Sequence, residues 1–170
     1  MEALARGETA ALGELVRRHQ DGALLLARRM LAETDGAEDV VQEAFLRVYR
    51  SAGRYRPTGR FSTWLYRILV NLCYDRLRAA KRRPRPLDEQ IPAPAGADAP
   101  EILHLADVAR RVRQAVDALP KRQRTALTLH RYQRLSHAQI AEATGWSISG
   151  VESLLVRAYQ RLRQELADLE

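Results

Sequence analysis

The sequence has little of what marks several protein classes. Its one cysteine, Cys73, cannot form an internal disulfide and is predicted to be a small buried hydrophobe. No apolar run approaches the roughly 20 residues that span a bilayer, and the N-terminus lacks a basic segment followed by an apolar core. These absences predict a chain without a signal peptide that stays in the cytoplasm.

Signs of catalysis are equally scarce. The four histidines show no spacing that would bring them together as metal ligands, and no Gly-rich phosphate loop or nucleophile–base arrangement is recognisable. No cofactor is therefore expected. An enzyme that processes nucleic acid is the least favoured function class, because it needs a carboxylate cluster or a nucleophile and neither is recognisable.

Strand signals are also nearly absent, whereas apolar residues recur at helical spacing along most of the chain. The pattern predicts an all-α protein of two small helical domains, 1–86 and 102–170, joined by a flexible linker, 87–101, that is rich in Pro and Ala. The formal net charge of +7 favours a polyanionic partner such as nucleic acid.

The N-terminal domain is predicted to begin with helices over Thr9–Ala32 and Ala37–Ser51. Five acids and no base occur between residues 31 and 46. This acidic surface allows two interpretations, a solvated helix face or a docking site for another protein. The residues of that face are Asp39, Gln42, Glu43 and Leu46.

A dense basic segment follows, with twelve Arg or Lys residues and one acid between residues 47 and 85. Cations for phosphates together with aromatic rings for bases are typical of single-stranded nucleic-acid binding. After a loop over Arg54–Gly59, a helix is predicted to start with Ser62 or Thr63 as its N-cap. Trp64, Arg67 and Asn71 then share one face of this helix.

The Asn71 amide can both donate and accept a hydrogen bond, which suits reading of a base edge. A local structural hydrogen bond is the alternative interpretation. Trp64 is predicted to be partly buried in the core.

The C-terminal domain contains the segment RLSHAQIAEATGWSISGVESLLVRAYQRL, which predicts a helix–turn–helix. Ser136 and Gln139 form a capping box, Gly145 makes the turn, and Ser147 or Ser149 caps the second helix. The preceding helix, Lys121–Gln133, is predicted to keep its basic residues on the outside. Those residues are Lys121, Arg122, Arg124, Arg131 and Arg134.

Two segments carry a family resemblance. DGAEDVVQEAFLRVYR, followed by FSTWLYRILVNLCYDRLR, resembles region 2 of the extracytoplasmic-function (ECF) sigma factors. ALPKRQRTALTLHRYQRLSHAQIAEATGWSISGVESLLVRAYQRL resembles their region 4. The order, spacing and linker length also fit, and the resemblance covers the chain from about Glu8 to Leu166.

The resemblance implies a bacterial alternative sigma factor that binds core RNA polymerase, recognises promoter −10 and −35 elements and promotes melting by capturing a flipped non-template base. The implied polymerase-binding residues are Asp39, Gln42, Glu43 and Leu46. The implied −10 residues are Arg54, Tyr55, Arg56, Thr58, Arg60, Phe61, Trp64, Arg67 and Asn71. The implied −35 residues are Arg122, Arg131, Ser147, Ser149, Glu152, Ser153, Arg157 and Arg161. An anti-sigma factor, often membrane-anchored in this family, is a further expected partner, which could hold the chain near the inner membrane.

The recognition helix departs from the family pattern, because Glu152 and Leu154 replace two commonly basic positions. Glu152 can accept from a cytosine amino group, while phosphate anchoring must shift to the surrounding arginines. A two-domain helix–turn–helix regulator that acts without polymerase is the alternative function.

Overall fold

The structure is a computed structural model that describes residues 1–31, 36–56, 59–81 and 100–169, with the side chains of residues 81 and 100–105 excepted. The described chain is helical, as predicted, and contains no strand. Its helices are α1 (Glu2–Ala5), α2 (Ala10–Leu31), α3 (Ala37–Ser51), α4 (Phe61–Lys81), α5 (Pro100–Asp117), α6 (Lys121–Leu127), α7 (His137–Thr144) and α8 (Ile148–Glu165). A 3₁₀ turn over Ala52–Arg54 follows α3, and a π-helical turn over Thr128–Tyr132 follows α6.

The predicted bounds of the first two long helices are confirmed to within one residue, but the predicted start of α4 is wrong. The Arg60 carbonyl accepts from the backbone N–H groups of Thr63 and Trp64 at 3.0 and 3.3 Å, so α4 begins at Phe61. Packing of the Phe61 ring fixes this start, and Ser62 lies inside the helix. Residues 87–99 of the predicted linker lie outside the described residues, and its last two residues, 100 and 101, belong to α5.

Helices α2, α3 and α4 pack into a bundle around Leu26, Met30, Val48, Leu65 and Leu69, each at most 2% exposed. Burial of one such side chain contributes roughly 1.5–3 kcal/mol. Cys73 lies in the same core with no exposed surface, as predicted, and burial raises the pKa of its thiol to about 12. No helix of the described chain combines the length and the apolar character that crossing a membrane requires.

The C-terminal half shares this core. Leu129, Ile140, Ala143, Val151 and Leu155 belong to the same buried cluster as the N-terminal helices. A second, smaller cluster joins α5, α6 and α8 through Val116, Leu119, Leu127 and Ala158. The two halves therefore pack directly against each other, with α7 on α4.

The caps of the helix–turn–helix are confirmed. The Ser136 hydroxyl accepts from the Gln139 N–H at 3.3 Å, and the Gln139 side-chain oxygen accepts from the Ser136 N–H at 2.9 Å. Gly145 ends α7 with φ +73°, the left-handed conformation that glycine tolerates. Ser147, the first of the two predicted candidates, caps α8 through the Gly150 N–H at 3.1 Å.

The prediction for Arg124 is wrong, because this side chain is 6% exposed rather than on the outside. Its guanidinium donates to the Met30 carbonyl at 3.1 Å and to the Asp117 carbonyl at 2.6 Å. These carbonyls lie at the C-terminal ends of α2 and α5, where helices leave acceptors unpaired and carry partial negative charge. Burial lowers the pKa of Arg124.

Candidate nucleic-acid interface

A cavity of about 370 Å³ lies where the segment after α3 meets the first turns of α4. Six of the nine residues predicted for −10 DNA line it. They are Arg54, Tyr55, Arg56, Arg60, Trp64 and Arg67. The cavity therefore combines four guanidinium groups with two aromatic rings, and we call it the arginine cavity.

An aromatic cluster forms the wall of the arginine cavity. The Tyr55 and Trp64 rings are 4.8 Å apart between centroids, and Phe61 lies 5.9 Å from Trp64. His19, from α2, packs on Phe61 at 5.0 Å. Burial and the nearby Arg18 charge both lower the pKa of His19, so its neutral form is favoured. Phe61 thus supports the wall from behind, and Trp64 is half-buried, as predicted.

Phe61 and Asn71, two further predicted −10 residues, are not in this lining. Asn71 is exposed on α4, four residues beyond Arg67 and hence one turn further along the same face. Its amide makes no hydrogen bond within the described chain, so the local structural bond is not formed. Thr58 lies outside the described residues. Thr63, which was not singled out for this site, lines the cavity with a buried hydroxyl that has no described partner.

The predicted polymerase-binding face is at the surface of α3. The Asp39 carboxylate lies 3.6 Å from the Arg76 guanidinium, and the Glu43 carboxylate accepts from the Arg47 guanidinium at 2.8 Å. The Asp39 side chain stays largely accessible, whereas the Glu43 side chain is partly buried. Leu46 is 46% exposed. It borders an apolar groove of about 350 Å³ between α2 and α3, lined by Leu12, Val16, Gln20, Val41, Gln42, Phe45 and Leu46. Acids beside an exposed leucine and an apolar groove suit docking of another protein.

The predicted −35 residues of α8 and its cap are all exposed. They are Ser147, Ser149, Glu152, Ser153, Arg157 and Arg161. The Arg157 guanidinium donates to the Ser153 carbonyl at 3.0 Å, which holds it along the helix. Arg122 stacks over the Trp146 ring at 4.6 Å, and Arg131 is exposed after α6.

Sequence reasoning missed one residue of the arginine cavity that comes from the other half of the chain. Glu142, on α7, contributes to its lining. No local signal could have found it, because the contact depends on how α7 packs on α4.

The chain matches two family models, Sigma-70 region 2 over residues 15–83 and Sigma-70, region 4 over residues 109–162. It is 34% identical to the RNA polymerase sigma-H factor of Pseudomonas aeruginosa, over 99% of this chain and 93% of that protein. It is 38% identical to the ECF RNA polymerase sigma factor SigE of Mycolicibacterium smegmatis, over 96% of this chain and 65% of that protein.

Among solved structures, the chain is similar to CnrH in complex with the cytosolic domain of CnrY. The TM-score is 0.70 at 27% identity, over 97% of this chain and 93% of that chain.

Proposed function

We propose that this chain, which belongs to the ECF family of RNA polymerase sigma factors, directs core polymerase to promoters and captures an unpaired promoter base at the arginine cavity. Members of this family are transcription initiation factors and not enzymes. The nucleic-acid-processing enzyme is therefore excluded.

The arrangement of cations and rings in the arginine cavity carries the proposal. Arginine supplies salt-dependent attraction to the DNA backbone. Unstacking a base costs a few kcal/mol, and stacking it on an aromatic ring returns roughly 1–3 kcal/mol. Tyr55 and Trp64 provide that surface beside four guanidinium groups. A spontaneously opened base can thus be trapped without nucleotide hydrolysis.

Asn71 extends the arginine cavity along α4. Its exposed amide has no described partner and follows Trp64 and Arg67 on one helix face. It can therefore donate to and accept from the edge of the captured base. In this proposal Asn71 provides selectivity for the captured base, and the arginine cavity provides affinity for the strand.

The other surfaces divide the remaining tasks. Residues 1–86 carry −10 recognition and dock on core polymerase through the acidic face of α3. Residues 102–170 place α8 in the −35 major groove, and residues 87–101 link the two. Because the chain acts with polymerase, its place is the cytoplasm.

A cognate anti-sigma factor is a further proposed partner. The similarity to CnrH, solved in complex with the cytosolic domain of CnrY, supports binding of a protein partner. The apolar groove beside Leu46 gives such a partner an apolar surface to bind, next to the polymerase-binding face. A partner bound there would compete with polymerase and could hold the chain near the inner membrane.

The proposal for base capture is tested by Asn71→Ala. We expect fewer open complexes on a promoter with reconstituted holoenzyme, scored by permanganate reactivity, and unchanged affinity for core polymerase. Gln114→Ala is the matched control, because it removes an exposed side-chain amide from a different helix, α5. Equal loss of polymerase binding and opening in Asn71→Ala would contradict the assigned role.

The docking proposal is tested by Asp39→Arg. Charge reversal on a docking face should weaken core polymerase binding about tenfold, measured by fluorescence anisotropy. Asp107→Arg on α5 is the control, since Asp107 is likewise an exposed acid paired with a surface arginine. Unchanged affinity of Asp39→Arg for core polymerase would mean that the acidic face of α3 is not part of the polymerase interface.

A further inference from the structure

Glu152 is an acid on the helix face that is proposed to read DNA. It is exposed on α8, and Ser149 lies three residues before it on the same exposed face. DNA phosphates repel a carboxylate, so this side chain supports recognition only if it is held at a base edge and its charge is offset. A neighbouring group that does both is therefore needed.

His137, the first residue of α7, lies next to this carboxylate. Its Nδ1 atom is 3.5 Å from the Oε1 atom of Glu152. The His137 side chain is 39% exposed and the Glu152 side chain 56% exposed, so both remain open to DNA. An imidazole can donate a hydrogen from Nδ1 to a carboxylate, and it carries a positive charge when it is protonated. His137 thus has both properties that Glu152 requires.

Packing within the helix–turn–helix sets the distance between these two side chains. Ile140 of α7 and Val151 of α8 are 0% exposed and belong to one buried cluster. Val151 directly precedes Glu152, and the cap at Ser136 directly precedes His137. The contact therefore forms between two anchored helices and not between two freely moving side chains.

A second histidine packs on His137. The rings of His130 and His137 are 5.3 Å apart between centroids, and the His130 Nδ1 atom donates to the Leu135 carbonyl at 3.1 Å. Two positive charges at this distance would repel each other. Among the described residues, only His137 of the two has a carboxylate beside it. No three His, Cys, Asp or Glu side chains of the described chain are placed to hold a metal ion.

The charged surroundings of His137 are simple. The elements packed against α7 are α4, α8 and the π-helical turn. In the part of the chain that the structure describes, their titratable groups in contact with His137 are Glu152 and His130. The described arginines of α4 and of the turn form no ion pair with Glu152. They are Arg67, Arg76, Arg78 and Arg131. Glu142, the acid of α7 itself, lies in the arginine cavity instead.

We propose that His137 is a positioning residue for −35 recognition, which holds Glu152 at the edge of a cytosine and offsets its charge beside the DNA backbone. The inference rests on the proposed −35 role of α8. Glutamate typically accepts from the cytosine amino group in the major groove. DNA adds negative charge near His137, so the bound state favours the protonated imidazole. The −35 affinity should therefore rise as the pH falls from about 8 to about 6.

The test uses reconstituted holoenzyme and a promoter duplex library that is randomised over the −35 element. Selection with the wild type gives a preferred duplex, and the affinity for each single base-pair change in it is then measured. Glu152→Gln should lower discrimination at one C·G position about five- to tenfold and leave the other positions unchanged. Glu165→Gln removes an exposed carboxylate from the other end of α8 and is the control for net charge. It should leave every position unchanged.

His137→Ala shows whether the histidine acts through Glu152. It should lower discrimination at the same C·G position about two- to threefold. A merely structural role of His137 would weaken binding of all duplexes alike. In a double-mutant cycle, His137→Ala should have little further effect on discrimination in the Glu152→Gln background.

His137→Asn separates the hydrogen bond from the charge. The asparagine amide nitrogen is as many bonds from the backbone as Nδ1 of histidine, so it can still donate to Glu152. Discrimination at the C·G position should therefore be retained. The gain in −35 affinity between about pH 8 and pH 6 should be about three- to fivefold larger in the wild type than in His137→Asn. This variant also covers the case that His137→Ala disturbs α7.

Three results would overturn the inference. The first is unchanged discrimination in His137→Ala where Glu152→Gln loses it, and the second is an equal pH response of the wild type and His137→Asn. The third is weaker −35 binding in Arg157→Ala without any effect of Glu152→Gln. Failure of the proposed function looks different, because Arg157→Ala would then also leave affinity for the preferred duplex unchanged.

Discussion

The two proposed DNA surfaces are built in different ways. The face of α8 follows from one helix, with a Ser147 cap and a turn at Gly145 that are set by neighbours a few residues away. The arginine cavity joins the end of α3, the loop after it, α4 and Glu142 of α7. Binding to the first surface should therefore depend on local residues, and binding to the second on the arrangement of the whole chain.

Arg67→Glu gives the largest expected effect on this comparison. Reversing one of the four cavity charges should lower affinity for the −10 single strand at least about tenfold and reduce its salt dependence. Binding of the −35 duplex should not change, because α8 is untouched. Fluorescence anisotropy at several salt concentrations measures both.

Arg113→Glu is the matched control for that charge reversal, since Arg113 is exposed on α5 and belongs to neither surface. Equal losses in the two variants would mean that net charge, rather than the cavity, binds the strand.

Arg157→Ala sharpens the comparison from the other side. Loss of one phosphate anchor should weaken −35 duplex binding by holoenzyme about three- to fivefold and leave single-strand binding intact. A quantitative gel shift, with and without core polymerase, measures the change. Strong binding of the duplex by the free chain would instead favour a regulator that acts without polymerase.

Ser136→Ala tests whether the C-terminal surface is locally determined. Loss of the capping box should lower the free energy of unfolding by about 1 kcal/mol, measured by urea denaturation. Ser62→Ala is the control, because Ser62 lies inside α4 and does not cap it. A larger loss of unfolding free energy in Ser62→Ala than in Ser136→Ala would support the N-cap that the sequence predicted at Ser62.

The smallest expected effect concerns pH and the wall of the arginine cavity. The pKa of His19 is lowered in the folded state, so the unfolded chain binds more protons in the window below the ordinary value of about 6.5. The stability that neutral His19 supports is therefore lost as the pH falls through that window. His19→Gln should flatten the stability profile between pH 7.5 and 5.5, and an unchanged slope would contradict the assignment.

Local rules explain which parts could be predicted from the sequence. The capping box at Ser136 and the bounds of α3 depend on residues within one or two turns, and both are as predicted. The burial of Arg124 was not predictable, because its partners are the ends of α2 and α5. The start of α4 was missed for the same reason, since packing of Phe61 on His19, Tyr55 and Trp64 sets it.

The sites show the same division. The family resemblance implied six residues of the arginine cavity, because a match to a local motif needs no tertiary information. Helical spacing placed Asn71 on the same face of α4 as Trp64 and Arg67, but it could not tell that Asn71 lies beyond the cavity lining. Glu142 was out of reach, since only the packing of α7 on α4 brings it there.

Photo-crosslinking from Tyr55 tests the central claim most directly. With p-azidophenylalanine in place of Tyr55, holoenzyme in an open promoter complex should cross-link to an unpaired −10 nucleotide of the non-template strand. Cross-links confined to duplex DNA, or no DNA cross-link in complexes that are demonstrably open, would contradict base capture at the arginine cavity.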